Sequence, residues 1–271
     1  WPSNAPLDGP DGPCGPCSEI YYDQGENYGP GTQNDTIESD SGRFAEIWNL
    51  VFTQYDRQGV NKLLPLAAKN IDTGAGLERI ACVMQGKRSN FEIDIFEPYL
   101  KVLKEYFPKA TARENPSLYT ITDHVRAVFF SITDGALPSN EGRGYVIRKL
   151  IRRALWHGWR LGRRDAFLYT LAPCVIETMG KQYPEIKEHA ESVKETIKNE
   201  EKRFLDTLET GLDILEGEIE ACKKKNQKLL AGPNAFRLYD TYGFPLELTR
   251  EIAGQAGVSV DETGFEKCME E

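Results

Sequence analysis

Apolar residues alternate with polar ones over the first part of the chain and recur every three to four residues over the rest, so strands are expected first and helices afterwards. From Glu46 to Tyr55 the chain reads Glu-Ile-Trp-Asn-Leu-Val-Phe-Thr-Gln-Tyr, rich in β-branched and aromatic residues, and predicts a strand. Side chains alternate across a strand, so Asn49 and Val51 share one face while Trp48, Leu50 and Phe52 share the other. The larger set is expected to face the core, which leaves Asn49 beside Val51 as the floor of a polar pocket. Residues 1–45, rich in Gly, Pro, Asn and Asp, are broken by Ile20-Tyr21-Tyr22, a second strand between loops. A short strand around Asn70-Ile71-Asp72 runs into Thr73-Gly74-Ala75-Gly76, and a helix from about Leu77 to Gln85 is closed by Gly86.

Asp94 and Glu97 stand at capping-box spacing with Pro98 behind them, which predicts a helix through Tyr106. Pro108 to Pro116 reads as a linker, so the chain divides into residues 1–110 and 111–271. Val125, Val128, Phe129 and Ile132 then follow the cap candidates Thr122 and Asp123 at helical spacing, and Asp134-Gly135 ends that helix. Tyr145 to Trp159 is helical, with Val146, Leu150, Ile151, Ala154 and Leu155 on one side and arginines on the other. A long amphipathic helix from roughly Pro184 to Lys225 aligns Ile197, Phe204, Leu208, Leu212, Leu215 and Ile219.

No apolar run is long enough to span a bilayer, and Trp1-Pro2-Ser3-Asn4 reads as neither a signal nor a transit peptide, so a cytoplasmic protein without membrane contact is expected. A first residue other than Met, beside a Pro/Gly-rich loop, suggests that the chain begins inside a domain whose earlier strands precede it. The net charge of −9 argues against indiscriminate nucleic-acid binding. Its distribution is more informative than its sum. Arg143, Arg148, Lys149, Arg152, Arg153, Arg160, Arg163 and Arg164 follow one another without an intervening carboxylate, whereas acidic residues crowd Glu185 to Glu220. Such an island points to a localised polyanion contact, against the alternative of a solvated helix face. Of the six cysteines only Cys14 and Cys17 form a CxxC, a distribution suited to a reducing compartment.

Asp72-Thr73-Gly74-Ala75-Gly76-Leu77-Glu78-Arg79 joins a strand, a glycine pair and a helix with Arg in its first turn. Glycines let a ligand approach the backbone, a helix N-terminus offers unpaired N–H groups, and Arg79 adds fixed positive charge, a combination that fits a triphosphate. A tight turn with a surface arginine is the alternative for so short a motif. The segment is neither a dinucleotide fingerprint nor a P-loop.

Asp72 to Arg79 resembles motif 3 of the class II aminoacyl-tRNA synthetases, and Glu46-Ile47-Trp48-Asn49 ahead of it is similar to the alanyl branch of that family. Gly12-Pro13-Cys14-Gly15-Pro16-Cys17-Ser18-Glu19-Ile20, Asp123-His124-Val125-Arg126-Ala127, Pro138 to Val146 and Leu238-Tyr239-Asp240-Thr241-Tyr242-Gly243-Phe244-Pro245 resemble the alanyl-tRNA synthetases in the same order, over nearly the whole chain. The resemblance implies an α+β fold: part of an antiparallel sheet flanked by helices, then an all-helical tRNA-recognition domain. It implies ATP-dependent activation of alanine and transfer to the acceptor stem of tRNA(Ala), with ATP and Mg²⁺ as cofactors and no side-chain nucleophile. Asp72 would hold the alanine ammonium, Asn49 would orient it, Val51 would wall the side-chain pocket and Gly74 would line the site through its backbone. Gly76 and Arg79 would bind ATP. Asn140 and Asp240 would flank a G·U wobble pair, and Arg143, Arg148, Arg152 and Arg153 would contact tRNA.

Some members of the family follow the CxxC with two histidines in a zinc pattern; here Gln24 and Asn27 stand in their place, so no zinc is expected. His124, His157 and His189 read as structural or surface residues. Counterparts of motifs 1 and 2, with the α-phosphate arginine, and of the editing and C-terminal domains are not found in this sequence. The isolated chain is therefore expected to lack activity, and a non-catalytic module that binds the tRNA acceptor stem is the alternative reading.

Overall fold

The alternating segment forms the longest strand of an antiparallel sheet in the computed structural model, which describes residues 9–29, 31–39 and 41–270. Strands β1 (Gly12–Cys14), β2 (Cys17–Asp23), β3 (Phe44–Arg57) and β4 (Leu63–Ala75) all pair through β3. β1 and β2 lie one after the other along one edge of β3, and β4 runs along its opposite edge. The Gly15-Pro16 step holds the cysteine-rich loop tightly against β3. Pro16 O accepts from Phe52 N at 2.8 Å, and a Cβ on Gly15 would collide with the Phe52 carbonyl. Arg43 fastens the loop between β2 and β3, donating to both oxygens of Asp23 and to the Thr32 and Gln33 carbonyls. This bidentate contact holds the Asp23 carboxyl down at about 2.

Two features of the sheet differ from expectation. β4 continues to Ala75, so Thr73, Gly74 and Ala75 are strand residues and the turn is confined to Gly76; their backbone groups find partners on β3. Trp48 does not face a core: it is 42% exposed, and its neighbours across the strands, Ile20 and Ala75, leave it uncovered among the described residues. Helix α1 (Leu77–Met84) follows, ended by Gly86 at φ 62°, and a small core of Cys82, Ile93 and Phe96 packs beside it.

The chain separates into two compact units, Trp1–Glu97 and Pro98–Glu271. This division lies earlier than the 110/111 position read from linker-like composition, because helix α2 (Glu97–Tyr106) sinks Tyr99 and Leu103 into the helical core and ties Tyr99 to Thr178 at 2.8 Å. Asp94 caps no helix through a capping box; it bonds to Gln85 and to the Ile95 amide. Nor do Thr122 and Asp123 cap the next helix. α3 spans Asn115–Thr133 behind a short turn whose capping box is formed by Thr111 and Glu114, and the Thr122 hydroxyl bonds the Leu118 carbonyl inside the helix.

α4 (Gly142–Arg160) buries Ile147, Ile151, Ala154 and Leu155 but leaves Val146 45% exposed, so its apolar face is turned by one residue from the expected one. α5 (Ala172–Met179) and the short α6 (Glu185–Glu188) lead to α7 (Ala190–Lys224), so the long helix is two pieces separated at His189. Its stripe is buried as read, except that Leu212 is half-buried and Gly211 takes a core position. A Cβ on Gly211 would run into the Phe244 ring. Glu201, fully buried on α7, accepts the backbone N–H groups of Phe167, Leu168 and Tyr169, and burial pushes its carboxyl up to about 7. α8 (Gly232–Tyr242), α9 (Leu246–Gln255) and α10 (Glu262–Glu270) complete the unit, with the two-residue strands β5 (Leu229–Leu230) and β6 (Ser259–Val260) paired in parallel.

Candidate functional site

Register decides which side chains of the sheet meet. Asn49 lies directly opposite Gly74 and Val51 directly opposite Asp72. Cross-strand partners in an antiparallel pair point to the same face, so these four residues, far apart in sequence, form one two-by-two patch. Asp72 and Gly74 are exposed, and nothing lies within 4 Å of where a Cβ on Gly74 would stand. Neither positive φ nor crowding requires glycine at that position, so the missing side chain serves to keep the face open. The patch then offers a carboxylate, an amide, a small apolar wall and an open strip of backbone.

β2 adds residues to the same face that sequence reasoning passed over. Glu19 lies opposite Asn49, and Cys17 opposite Val51. Asn49 Nδ2 donates to Glu19 Oε1 at 3.1 Å, and the Tyr21 hydroxyl donates to Glu19 Oε2 at 2.5 Å. The signal was the i, i+2 spacing of Cys17, Glu19 and Tyr21, legible only once β2 is paired with β3. Arg79 reaches back from the first turn of α1: Nη1 donates to the Glu46 carbonyl at 2.8 Å and lies 3.6 Å from the Glu46 carboxylate. A Cβ on Gly76 would press on the Arg79 stem at 3.1–3.3 Å, so glycine leaves that arginine room to fold over the turn. Arg79 shares a cavity of about 490 Å³ with Tyr21, Tyr28, Arg88 and Phe91. Cys14 and Cys17 are free thiols on β1 and β2, and the described residues contain no cluster of three or more His, Cys, Asp or Glu able to hold a metal.

In the helical unit, Asn140 and Asp240 line one cavity of about 400 Å³ together with Arg148, Arg152, Arg203 and Thr241. Both are exposed. Asp240 sits in the last turn of α8, where a carboxylate faces the negative end of the helix dipole, and it has no ion pair among the described residues. Stability does not account for an acid there. Arg148 Nη1 donates to Asn140 Oδ1, which leaves the Asn140 Nδ2 group as the free end of that amide. Arg203, from the acidic helix α7, is a cation with no linear signal to mark it.

The arginines of α4 do not stand uncompensated in space. Arg152 donates to Glu200 from Nε at 2.9 Å and Nη2 at 2.7 Å, bonds the Gly243 carbonyl through Nη1, and lies over the Phe204 ring. Arg148 lies 3.1 Å from the same Glu200, Lys149 pairs with Glu247 at 2.7 Å and Arg153 with Glu251 at 3.1 Å. The carboxylates missing from the 143–164 stretch come from α7 and α9. Arg143, Arg160 and Arg164 have no carboxylate partner among the described residues, and the last two lie over the rings of Trp156 and Trp159. Arg143 is exposed at the start of α4.

Comparison with known proteins matches residues 5–271 to the family described as tRNA synthetases class II (A). The alanine–tRNA ligase of Thermotoga maritima is 50% identical over 267 residues, which cover 97% of this chain and 30% of that protein. That of Thermus thermophilus is 49% identical over 276 residues, covering 100% of this chain and 31% of the relative. That of Caldicellulosiruptor saccharolyticus is 49% identical over 261 residues, covering 94% and 29%. The chain thus spans about 30% of the length of the curated relatives it matches.

Proposed function

The chain belongs to the class II tRNA synthetases (A), and on that premise we propose that it carries the alanine- and ATP-binding end of an aminoacylation site together with a reader of the tRNA(Ala) acceptor stem. The observation that carries this reading is the strand register that sets Asn49 and Val51 against Gly74 and Asp72. Asp72 supplies the countercharge for the ammonium of alanine, Asn49 a hydrogen-bonding group beside it, and Val51 a wall close enough to favour a methyl side chain. Arg79, with Gly76 beneath it, takes the phosphates. In the reaction, an alanine carboxylate oxygen bonds the α-phosphorus of ATP while the bond to the β-phosphate oxygen breaks and pyrophosphate leaves. A terminal ribose hydroxyl oxygen then bonds the alanyl carbonyl carbon as the bond from that carbon to the phosphate oxygen breaks, so that the hydroxyl gives up its proton and AMP leaves. These residues act by positioning and countercharge, and no side-chain nucleophile takes part.

Magnesium bound with the nucleotide would add countercharge to the phosphates that Arg79 takes; on the protein side the Glu46 carboxylate faces the Arg79 guanidinium. The helical unit reads the stem. Asn140 offers Nδ2 as a donor and Asp240 a carboxylate as an acceptor, a complementary pair for the displaced base edges of a wobble pair in the shallow groove of an A-form helix. A cytoplasmic setting belongs to the same reading, and no helix among the described residues is long and apolar enough to cross a membrane.

The test is ATP–pyrophosphate exchange on the whole protein with Asp72→Asn. Losing a charge-assisted contact worth about 1.5–3 kcal/mol should raise the KM for alanine roughly 10- to 100-fold and leave the KM for ATP in place. Exchange that keeps its normal alanine dependence in this variant removes the assignment.

A further inference from the structure

The face that holds Asn49 and Asp72 contains a second carboxylate, and its contacts are specific. Glu19 Oε1 accepts from Asn49 Nδ2 at 3.1 Å and Oε2 accepts from the Tyr21 hydroxyl at 2.5 Å, so each oxygen is engaged by a different side chain. The bond to Glu19 is also the main reason the Tyr21 hydroxyl is pushed above its ordinary pKa. Ion pairing does not explain the position, since Glu19 makes no salt bridge among the described residues. Core packing does not explain it either, because the residue is exposed.

What the contact does is chemical. A primary amide has donors on nitrogen and an acceptor on oxygen, and rotation about its last bond exchanges the two. An ionised carboxylate can only accept, so Glu19 draws the nitrogen of Asn49 and directs Oδ1 away from itself. On the other side of Asn49 is Gly74, whose missing side chain leaves that oxygen open. Asp72 is the diagonal neighbour of Asn49 across β3 and β4, a separation of roughly 7–8 Å between side-chain bases, which a small cation between them can bridge.

We infer that Glu19 is a positioning residue of the amino-acid subsite, holding the Asn49 amide with its oxygen toward the substrate so that the subsite presents acceptors to a primary ammonium. The inference rests on the reading of this face as the alanine site. Without Glu19 the amide turns freely, and half of its orientations point a donor at a cation. The carboxylate itself acts through Asn49, and Tyr21 steadies it from behind.

The experiment is steady-state ATP–pyrophosphate exchange on the whole protein with Glu19→Ala, Glu19→Gln, Asn49→Ala, the double variant Glu19→Ala/Asn49→Ala, and Tyr21→Phe. Glu19→Ala should raise the KM for alanine about fivefold to tenfold, the effect of one lost hydrogen bond, with the KM for ATP unchanged. Glu19→Gln keeps an acceptor oxygen and should recover most of that loss, and Tyr21→Phe should show a smaller rise. The double variant should be no worse than Asn49→Ala alone, because a residue that acts through Asn49 has nothing to act on once the amide is gone. Effects of Glu19→Ala and Asn49→Ala that multiply independently, or a Glu19→Ala defect that appears equally in the KM for ATP, overturn the positioning role while leaving the amino-acid site standing. An unchanged alanine KM in Asn49→Ala overturns both.

Discussion

The sheet unit and the helical unit arrange charge in opposite ways. On the sheet, Asp72 stands exposed on an open face, and the groups that steer its neighbours are residues next door across a strand. In the helical unit four members of the basic island, Arg148, Lys149, Arg152 and Arg153, are tied to carboxylates on helices distant in sequence. An exposed strand presents what its alternation says it presents. A helix fixes only the side on which its charges stand, and the partner helix decides whether those charges meet solvent or one another.

The largest effect that can break this contrast is at Arg152. Its side chain is 11% exposed and that of Glu200 is 3% exposed, so Arg152→Ala leaves a buried carboxylate short of its strongest partner and also releases the Gly243 carbonyl. Breaking such a pair costs about 3–5 kcal/mol, which urea denaturation of the whole protein would read as a lowered midpoint. A loss below about 0.5 kcal/mol, the usual size for a surface substitution, accompanied by a flatter salt dependence of RNA binding, would mean that Arg152 faces the nucleic acid as the linear charge pattern suggests.

What could be read from the sequence follows the same contrast. Asn49 and Val51 share a face by strand periodicity alone, and the resemblance to class II synthetases singled out Asp72 and Gly74, which the register then sets opposite them, and Arg79, which reaches back to Glu46 of β3 from the next helix. Glu19 escaped because nothing local announces which strand lies next to it. The extent of β4 escaped because Thr73-Gly74-Ala75 carries turn composition, and strand pairing overrode local propensity. The apolar stripe of the long helix was legible, as 3.6-residue periodicity usually is, but its interruption at His189 was not. Glu200 stood among the acidic residues that crowd Glu185 to Glu220, and Glu247 and Glu251 carried no signal of their own; only tertiary contact reveals them as the partners of α4. The unit division at Glu97 and Pro98 had the same cause, since burial of Tyr99 and Leu103 is a property of the packed core rather than of composition.

A smaller effect sharpens the contrast inside the recognition cavity. Asn140 has its oxygen engaged by Arg148, so its role in reading a stem falls to Nδ2, whereas Asp240 can only accept. Asn140→Asp removes the donor and should cost roughly 1–3 kcal/mol of discrimination between a G·U stem and its G·C variant, as should Asp240→Ala. Asp240→Asn retains an acceptor oxygen and should lose less. Aminoacylation efficiency of the whole protein on the two stems measures this. Equal losses on both stems in every variant would reduce Asn140 and Asp240 to loop and helix-end residues.

The finest test separates two arginines of one helix. Arg143 is exposed at the N-terminus of α4 with no carboxylate partner among the described residues, while Arg153, ten positions on, lies 3.1 Å from Glu251. The surroundings of Arg143 favour an anion: no side chain caps the first turn of α4, so its N–H groups remain available, and the loop ahead is held close because a Cβ on Gly144 would collide with the Leu137 carbonyl and the Ser139 side chain. A cation that neutralises a phosphate releases counterions, so its loss lowers affinity and reduces the dependence of log K on log salt by about one unit. A cation already neutralised by its own protein releases few counterions when RNA arrives. Arg143→Ala should therefore weaken binding of both a G·U and a G·C stem several-fold and flatten the salt slope by about one. Arg153→Ala should leave the slope nearly as it was. Binding measured at several salt concentrations decides the matter: a slope that flattens for Arg153→Ala and not for Arg143→Ala would show that the ion pairs of α4 open to the nucleic acid, and that the linear charge pattern described the interface better than the folded arrangement does.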